Sequence, residues 1–212
     1  MNHSLYNRRI FFNYIIMITF LYSCNGQTTN KDVCKTNYII AKNKFDKSYT
    51  DKNKMLLSEA LKYVQKSLDC PETRTASIEL KISALSFLKE YNKAYVFIDS
   101  LEEKDFSKPY EKKMQYNYFR GLDCELKLKN KEKKKYFETA IIEIQNFINN
   151  QKSIDQEAYY NLFLVKSKIL NSKQINEELN ELKIKYPNEK DFFESLKESF
   201  NEETKQITVS AE

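Results

Sequence analysis

From Lys35 to Phe200 the apolar residues of this chain return every three or four positions, and polar clusters interrupt them about every fifteen residues. Leu56, Leu57, Ala60, Leu61, Val64 and Leu68 make one such run. Phe137, Ala140, Ile141, Ile144, Phe147 and Ile148 make a second, and Ile175, Leu179, Leu182 and Tyr186 a third. Each run falls on one stripe of a 3.6-residue helix, the pattern of an element with one buried and one wet face. Between the runs stand Cys70-Pro71, Ser107-Lys108-Pro109, Asn149-Asn150, Asn171-Ser172 and Tyr186-Pro187-Asn188, which stop one helix and start the next. The pattern predicts nine helices, over 35–47, 54–68, 73–89, 92–104, 109–128, 131–149, 155–170, 173–186 and 189–200. Short links make successive helices antiparallel neighbours, so the expected fold is all-α, built from stacked hairpins. With only two glycines and three prolines, the chain has little material for β-hairpins or βαβ crossovers.

The hairpins repeat. Ala60 and Ala94 are 34 residues apart, as are Tyr63 and Phe97, Val64 and Ile98, and Ser67 and Leu101. On these residues the chain resembles the tetratricopeptide repeat family, whose period is 34 residues. Ala60, Val64, Ser67 and Pro71 follow the order of the second helix of that repeat, and Ala94, Ile98 and Leu101 follow it again without a proline. In the last unit Tyr159 and Leu162 stand at the first aromatic and leucine positions, followed by Ile175, Leu179, Leu182 and Pro187. A third unit is weaker: Gly121 takes the small position of its first helix and Phe137 and Ala140 lie on its second, but Lys133 replaces the packing alanine. Spacing there stretches to 39 residues from Ala94 to Lys133 and 42 from Lys133 to Ile175. The resemblance implies a short α-solenoid over residues 35–200 that binds a protein or peptide partner on the concave face of its first helices. Phe192, Phe193, Leu196 and Phe200 give the last helix a stripe suited to capping the array. Residues 201–212 lack such a face and are expected to form a disordered tail, and residues 24–34 a flexible tether.

Ahead of the helices, Arg8 and Arg9 precede an apolar stretch from Ile10 to Leu21, the layout of a secretory signal over residues 1–23. The stretch is short for a membrane span, which needs about 20 apolar residues. Leu21-Tyr22-Ser23-Cys24 resembles a bacterial lipobox, with Tyr22 bulkier than that pattern usually holds. The resemblance implies a cell-envelope lipoprotein, periplasmic or surface-exposed, held to the membrane through a diacylated Cys24. Two chains suffice for stable anchoring. Plain secretion and a retained signal anchor are the competing readings.

Placement changes the charge. The formal net charge is +5, and loss of Arg8 and Arg9 leaves 33 basic against 30 acidic residues. Arg74 and Arg120 are then the only arginines, which disfavours nucleic-acid binding. Cys34, Cys70 and Cys124 would face an oxidising compartment. One disulfide with a free thiol is open to them, as is the reading their irregular spacing favours, three small apolar core residues. Nothing in the pattern bears on oligomeric state.

Candidate chemistry is sparse. The only histidine is His3, inside the signal, so the mature chain lacks the imidazole that nucleophilic triads and most catalytic zinc sites require. Gly26 and Gly121 are the only glycines, so no phosphate-cradling loop is available. No cofactor, metal or catalytic residue is expected. The pairs Glu102-Glu103, Glu177-Glu178 and Glu202-Glu203 are adjacent, which on a helix points the two carboxylates about 100° apart. The basic run from Lys129 to Lys135 reads as a solvated turn, with contact to anionic headgroups or an acidic partner as the functional alternative. Aromatic residues cluster on the first helices of the last two units, and Tyr116, Tyr160 and Phe163 are the candidates for a partner-binding groove. A glycan-binding lipoprotein and, last, a carboxylate- or thiol-dependent enzyme are the other function classes. The long insertions and tryptophan typical of starch-binding lipoproteins that contain such repeats are absent.

Overall fold

The computed structural model describes residues 30–209, and residues 1–23, expected to be a signal, and Cys24 lie outside them. Among the described residues there are nine α-helices and no strands: α1 Asn30–Asp51, α2 Lys54–Ser67, α3 Arg74–Phe87, α4 Tyr91–Asp99, α5 Glu111–Leu126, α6 Asn130–Asn149, α7 Gln156–Lys166, α8 Ser172–Lys185 and α9 Lys190–Val209. Every helix expected from the apolar periodicity has a counterpart. Three boundaries differ by five residues or more. α1 begins at Asn30, so residues 30–34 are helical where a tether was expected, and Cys34 is fastened to Cys70 by a disulfide. α9 continues to Val209, into the segment expected as a disordered tail. No glycine or proline follows Phe200 to break its hydrogen-bond ladder. α4 ends at Asp99 rather than near 104, because the chain tightens into a 3-10 turn, Glu103–Asp105, whose Asp105 carboxylate accepts the Glu102 N–H at 3.0 Å.

Local chemistry sets several helix ends. Asn53 opens α2 by accepting the Met55 N–H at 3.0 Å, and Asp155 opens α7 by accepting the Ala158 N–H at 2.9 Å. Asn171 and Gln174 exchange side-chain and backbone bonds across the first turn of α8, a capping box. At the C-termini a chain short of glycine puts other residues into the left-handed region: Lys52, Lys89 and Leu128 have φ of 51°, 57° and 57°. After α3 the Glu90 N–H reaches the Leu85 carbonyl and the Lys89 N–H the Ser86 carbonyl, both at 2.9 Å, which closes a Schellman motif.

From α1 to α7 each helix packs on the next, α1 also touches α3, and α8 packs on α9. α7 and α8 meet through the ion pair of Lys166 with Glu178, and Tyr186, just past the end of α8, lies with its ring 6.4 Å from that of Tyr159. The result is a solenoid-like succession of hairpins around one continuous core, reaching from Ala41 through Val64, Ile98, Phe137 and Leu179 to Phe200. The residue pairs 34 apart share their surroundings: Ala60, Ala94, Val64 and Ile98 are all 0% exposed, and Tyr63 and Phe97 are both half-buried. α5 and α6 approach closely at Gly121, where a Cβ would lie 2.5 Å from Cε1 of the fully buried Phe137.

The cysteines correct the favoured expectation of three unpaired core residues. Cys34 and Cys70 are bonded, with Cα atoms 5.9 Å apart, tying the first turns of α1 to the α2–α3 link. Their 36-residue separation hid the pairing, because the α1–α2 hairpin brings the two ends back together. Cys124 is free and buried, as expected of a core thiol.

Candidate functional site

The first helices of the second, third and fourth hairpins, α3, α5 and α7, enclose a cleft of about 260 Å³. Residues at helical spacing line it: Thr75, Ile78, Glu79, Ile82 and Ser83 from α3, Glu111, Met114, Gln115, Tyr118 and Phe119 from α5, and Asn161, Leu164 and Val165 from α7. Asp105, Phe106 and Ser107, from the link before α5, close one end. Half of the lining residues are aliphatic or aromatic and half are polar or charged, so the recess offers both apolar contact and hydrogen-bonding groups. Its volume lies just below the range typical of small-molecule pockets, about 300–1,000 Å³, and suits one large side chain.

The polar end is held rigidly. Asp105 is buried and accepts from Arg74 through both oxygens, Nε at 2.6 Å and Nη2 at 2.9 Å. Those guanidinium bonds, with the Glu102 N–H in support, hold its carboxyl well below the ordinary range, at about 2. Arg74 also donates to the Leu68 carbonyl at 3.2 Å, so one side chain links the end of α2, the start of α3 and the rim of the cleft. Glu111 is 7% exposed and receives the Ser107 and Lys108 N–H groups on Oε2 at 2.9 and 3.3 Å. Burial pushes its pKa up against those two bonds. Gln115, one helical turn further along α5, has its Oε1 buried with no hydrogen-bond donor. Tyr110 lies beneath the site, receiving the Asn161 amide at 3.0 Å, and burial raises its phenol to about 12. Lys108 is drawn away to Asp155 and Glu157, at 2.6 and 2.7 Å. Burial opposes its charge, and the hydrogen bonds it donates to those two carboxylates outweigh burial and raise its pKa.

The three aromatic residues expected to form a groove do not line this cleft. Tyr116 is half-buried on another face of α5, edge-on to Tyr95 at 5.9 Å, with its hydroxyl accepting from Arg120. Phe163 is 0% exposed, which corrects the expectation that it is available to a partner: it faces the core, with Lys166 above its ring. Tyr160 is 46% exposed and lies near Phe200. The cleft lies on α5 and α7, the helices that carry the three candidates, but Met114, Gln115, Tyr118, Asn161 and Leu164 line it in their place. Cys24 lies outside the described residues.

The remaining candidates are dispersed. Glu102 pairs with Lys104, Glu177 with Lys173 and Glu178 with Lys166, so neither doublet converges on a common point. The side chains of Glu202 and Glu203 lie outside the described set. In the basic run, Lys133 pairs with Glu125 and Lys134 with Glu138, while Lys131 and Lys135 point to solvent. Burial raises the Cys124 pKa, which disfavours the reactive thiolate. Among the described residues no group of three or more His, Cys, Asp and Glu could hold a metal ion, and no helix is long and apolar enough to cross a membrane. No protein-family model, curated protein or solved structure matches the chain.

Proposed function

We propose that this chain is a non-catalytic bacterial cell-envelope lipoprotein, anchored through Cys24, whose tetratricopeptide-like array holds a peptide segment of a partner protein in the α3–α5–α7 cleft. The observation that carries this reading is the buried, unpaired Oε1 of Gln115 in a recess half of whose lining residues are aliphatic or aromatic. An unpaired buried acceptor costs about 1–3 kcal/mol, and an incoming donor recovers that cost. The first helices of three successive hairpins supply the walls, so the recess exists only when the hairpins are stacked. The Cys34–Cys70 disulfide supports an extracytoplasmic placement, since such bonds persist in oxidising compartments.

Ser83 lines the cleft at its α3 wall, and a Ser83→Trp substitution fills the space. Displayed peptides selected on the full chain should lose at least tenfold in affinity for S83W while its helical circular dichroism stays unchanged. Equal affinity for a folded S83W protein refutes the cleft. Anchoring has a separate test: labelled fatty acid should enter the wild-type chain and not Cys24→Ala, and equal labelling of both refutes lipidation there.

A further inference from the structure

The residues lining the cleft include Glu79, Asp105 and Glu111 and no lysine or arginine, in a chain where basic residues outnumber acidic ones 35 to 30. The cations around the cleft are already paired. Arg74 is held by Asp105, Lys108 by Asp155 and Glu157, and Lys112 by the Leu101 carbonyl. Glu79 and Glu111 have no ion pair among the described residues. Glu111 accepts both of its hydrogen bonds on Oε2, and Gln115 Oε1, one turn away, has no donor. The site therefore holds surplus acceptors and negative charge at one end and aliphatic surface along the rest.

We propose that the cleft receives a cationic side chain, a lysine or arginine of the bound peptide, with its methylene stem along Ile82, Met114 and Leu164 and its head at Glu111 and Gln115. The proposal rests on the reading of this cleft as the partner site. An ammonium offers three donors and a guanidinium five, with no acceptor to clash with the carboxylate. Both carry an apolar stem that lies against aliphatic walls while the head meets polar groups. The volume of about 260 Å³ accommodates one such side chain. A carboxylate in the same place would face Glu111 at close range, and a wholly apolar side chain would leave Gln115 Oε1 unpaired.

The test uses the detergent-solubilised full chain and fluorescent heptapeptides capped at both ends, Ala-Leu-Ala-X-Ala-Leu-Ala, with X as lysine, arginine, norleucine or glutamate. By fluorescence anisotropy the lysine and arginine peptides should bind at least about tenfold tighter than norleucine, as charge-assisted bonds require, with glutamate weakest. Glu111→Gln keeps an acceptor for the Ser107 and Lys108 N–H groups and should abolish the preference without weakening norleucine binding. Glu79→Gln, on the facing helix, should reduce it. Equal binding of lysine and norleucine peptides, both lost in S83W, overturns the cationic occupant and leaves the cleft reading standing. Failure of every peptide to bind, or binding that S83W does not affect, overturns both.

Discussion

Replacing Asp105 with asparagine removes the charge that fastens the rim of the cleft to the start of α3. The carboxylate side chain is 3% exposed and receives two bonds from Arg74 and one from the Glu102 N–H. A carboxyl held at about 2 rather than the ordinary 3.8 corresponds to about 2.5 kcal/mol, at about 1.4 kcal/mol per tenfold change in the ionisation constant. The Arg74 side chain is 38% exposed, so solvent screens part of the interaction, and the expected loss in D105N at pH 7 is about 2 kcal/mol. For a chain of this size that lowers the melting temperature by roughly 4–8 °C.

The sign of the pH dependence follows from the direction of the shift. A depressed carboxyl pKa adds stability that is complete above the unfolded value near 3.8 and disappears as pH falls through about 2. Urea unfolding followed by far-ultraviolet circular dichroism should therefore give a constant difference between wild type and D105N from pH 7 to about 5. That difference should shrink between about pH 4 and 2. A difference under about 0.5 kcal/mol at pH 7 would show that the ion pair contributes as little as an exposed one, and one as large at pH 2 as at pH 7 would show that the loss does not come from the charge.

Three further perturbations test the packing. Gly121→Ala gains about 1 kcal/mol of helix propensity but puts a methyl 2.5 Å from a Phe137 ring that is fully buried; overpacking costs about 1–3 kcal/mol. The melt should fall by roughly 1 kcal/mol net and recover with Phe137→Leu, and a stabilised G121A would show that the ring yields. Cys34→Ser with Cys70→Ser should cost about 4 kcal/mol, given the 36-residue separation, and wild type in reductant should melt with the double variant; an unchanged melt refutes the staple. Leu128→Gly should stabilise by about 0.5–1 kcal/mol, because Leu128 is 84% exposed and holds φ of 57°; a lower denaturation midpoint would refute the strain.

The helices were legible because their signals are local. A stripe such as Phe137, Ala140, Ile141 and Ile144 marks a helix whatever it packs against, and all four residues are buried. Asn171 with Gln174 is a start signal that works within one turn. What escaped depends on residues far apart. The α4 helix stops at Asp99 because Asp105 is engaged by Arg74, 31 positions earlier, and the apolar pattern contains no trace of that pairing. The Cys34–Cys70 bond is of the same kind: spacing carries no framework signal, and only the folded α1–α2 hairpin makes the two thiols neighbours.

The cleft failed to emerge from the sequence for a different reason. Tyr116 and Tyr118 are two residues apart, hence about 200° around α5, and both are tyrosines, so side-chain type cannot say which faces α3 and α7. The crossing of three helices decides it, and Tyr118 is the one inside. A weaker signal was present in what the face omits. The stripe Glu111, Met114, Gln115, Tyr118 on α5 contains no lysine, although Lys112 and Lys113 stand beside its first residue, and Thr75, Glu79 and Ser83 repeat that pattern on α3 beside Lys81. A face closed by packing loses its polar residues, and a face open to solvent in this chain fills with lysine. A stripe that keeps polar groups while excluding lysine fits neither condition, and it fits a surface whose positive charge arrives with the ligand.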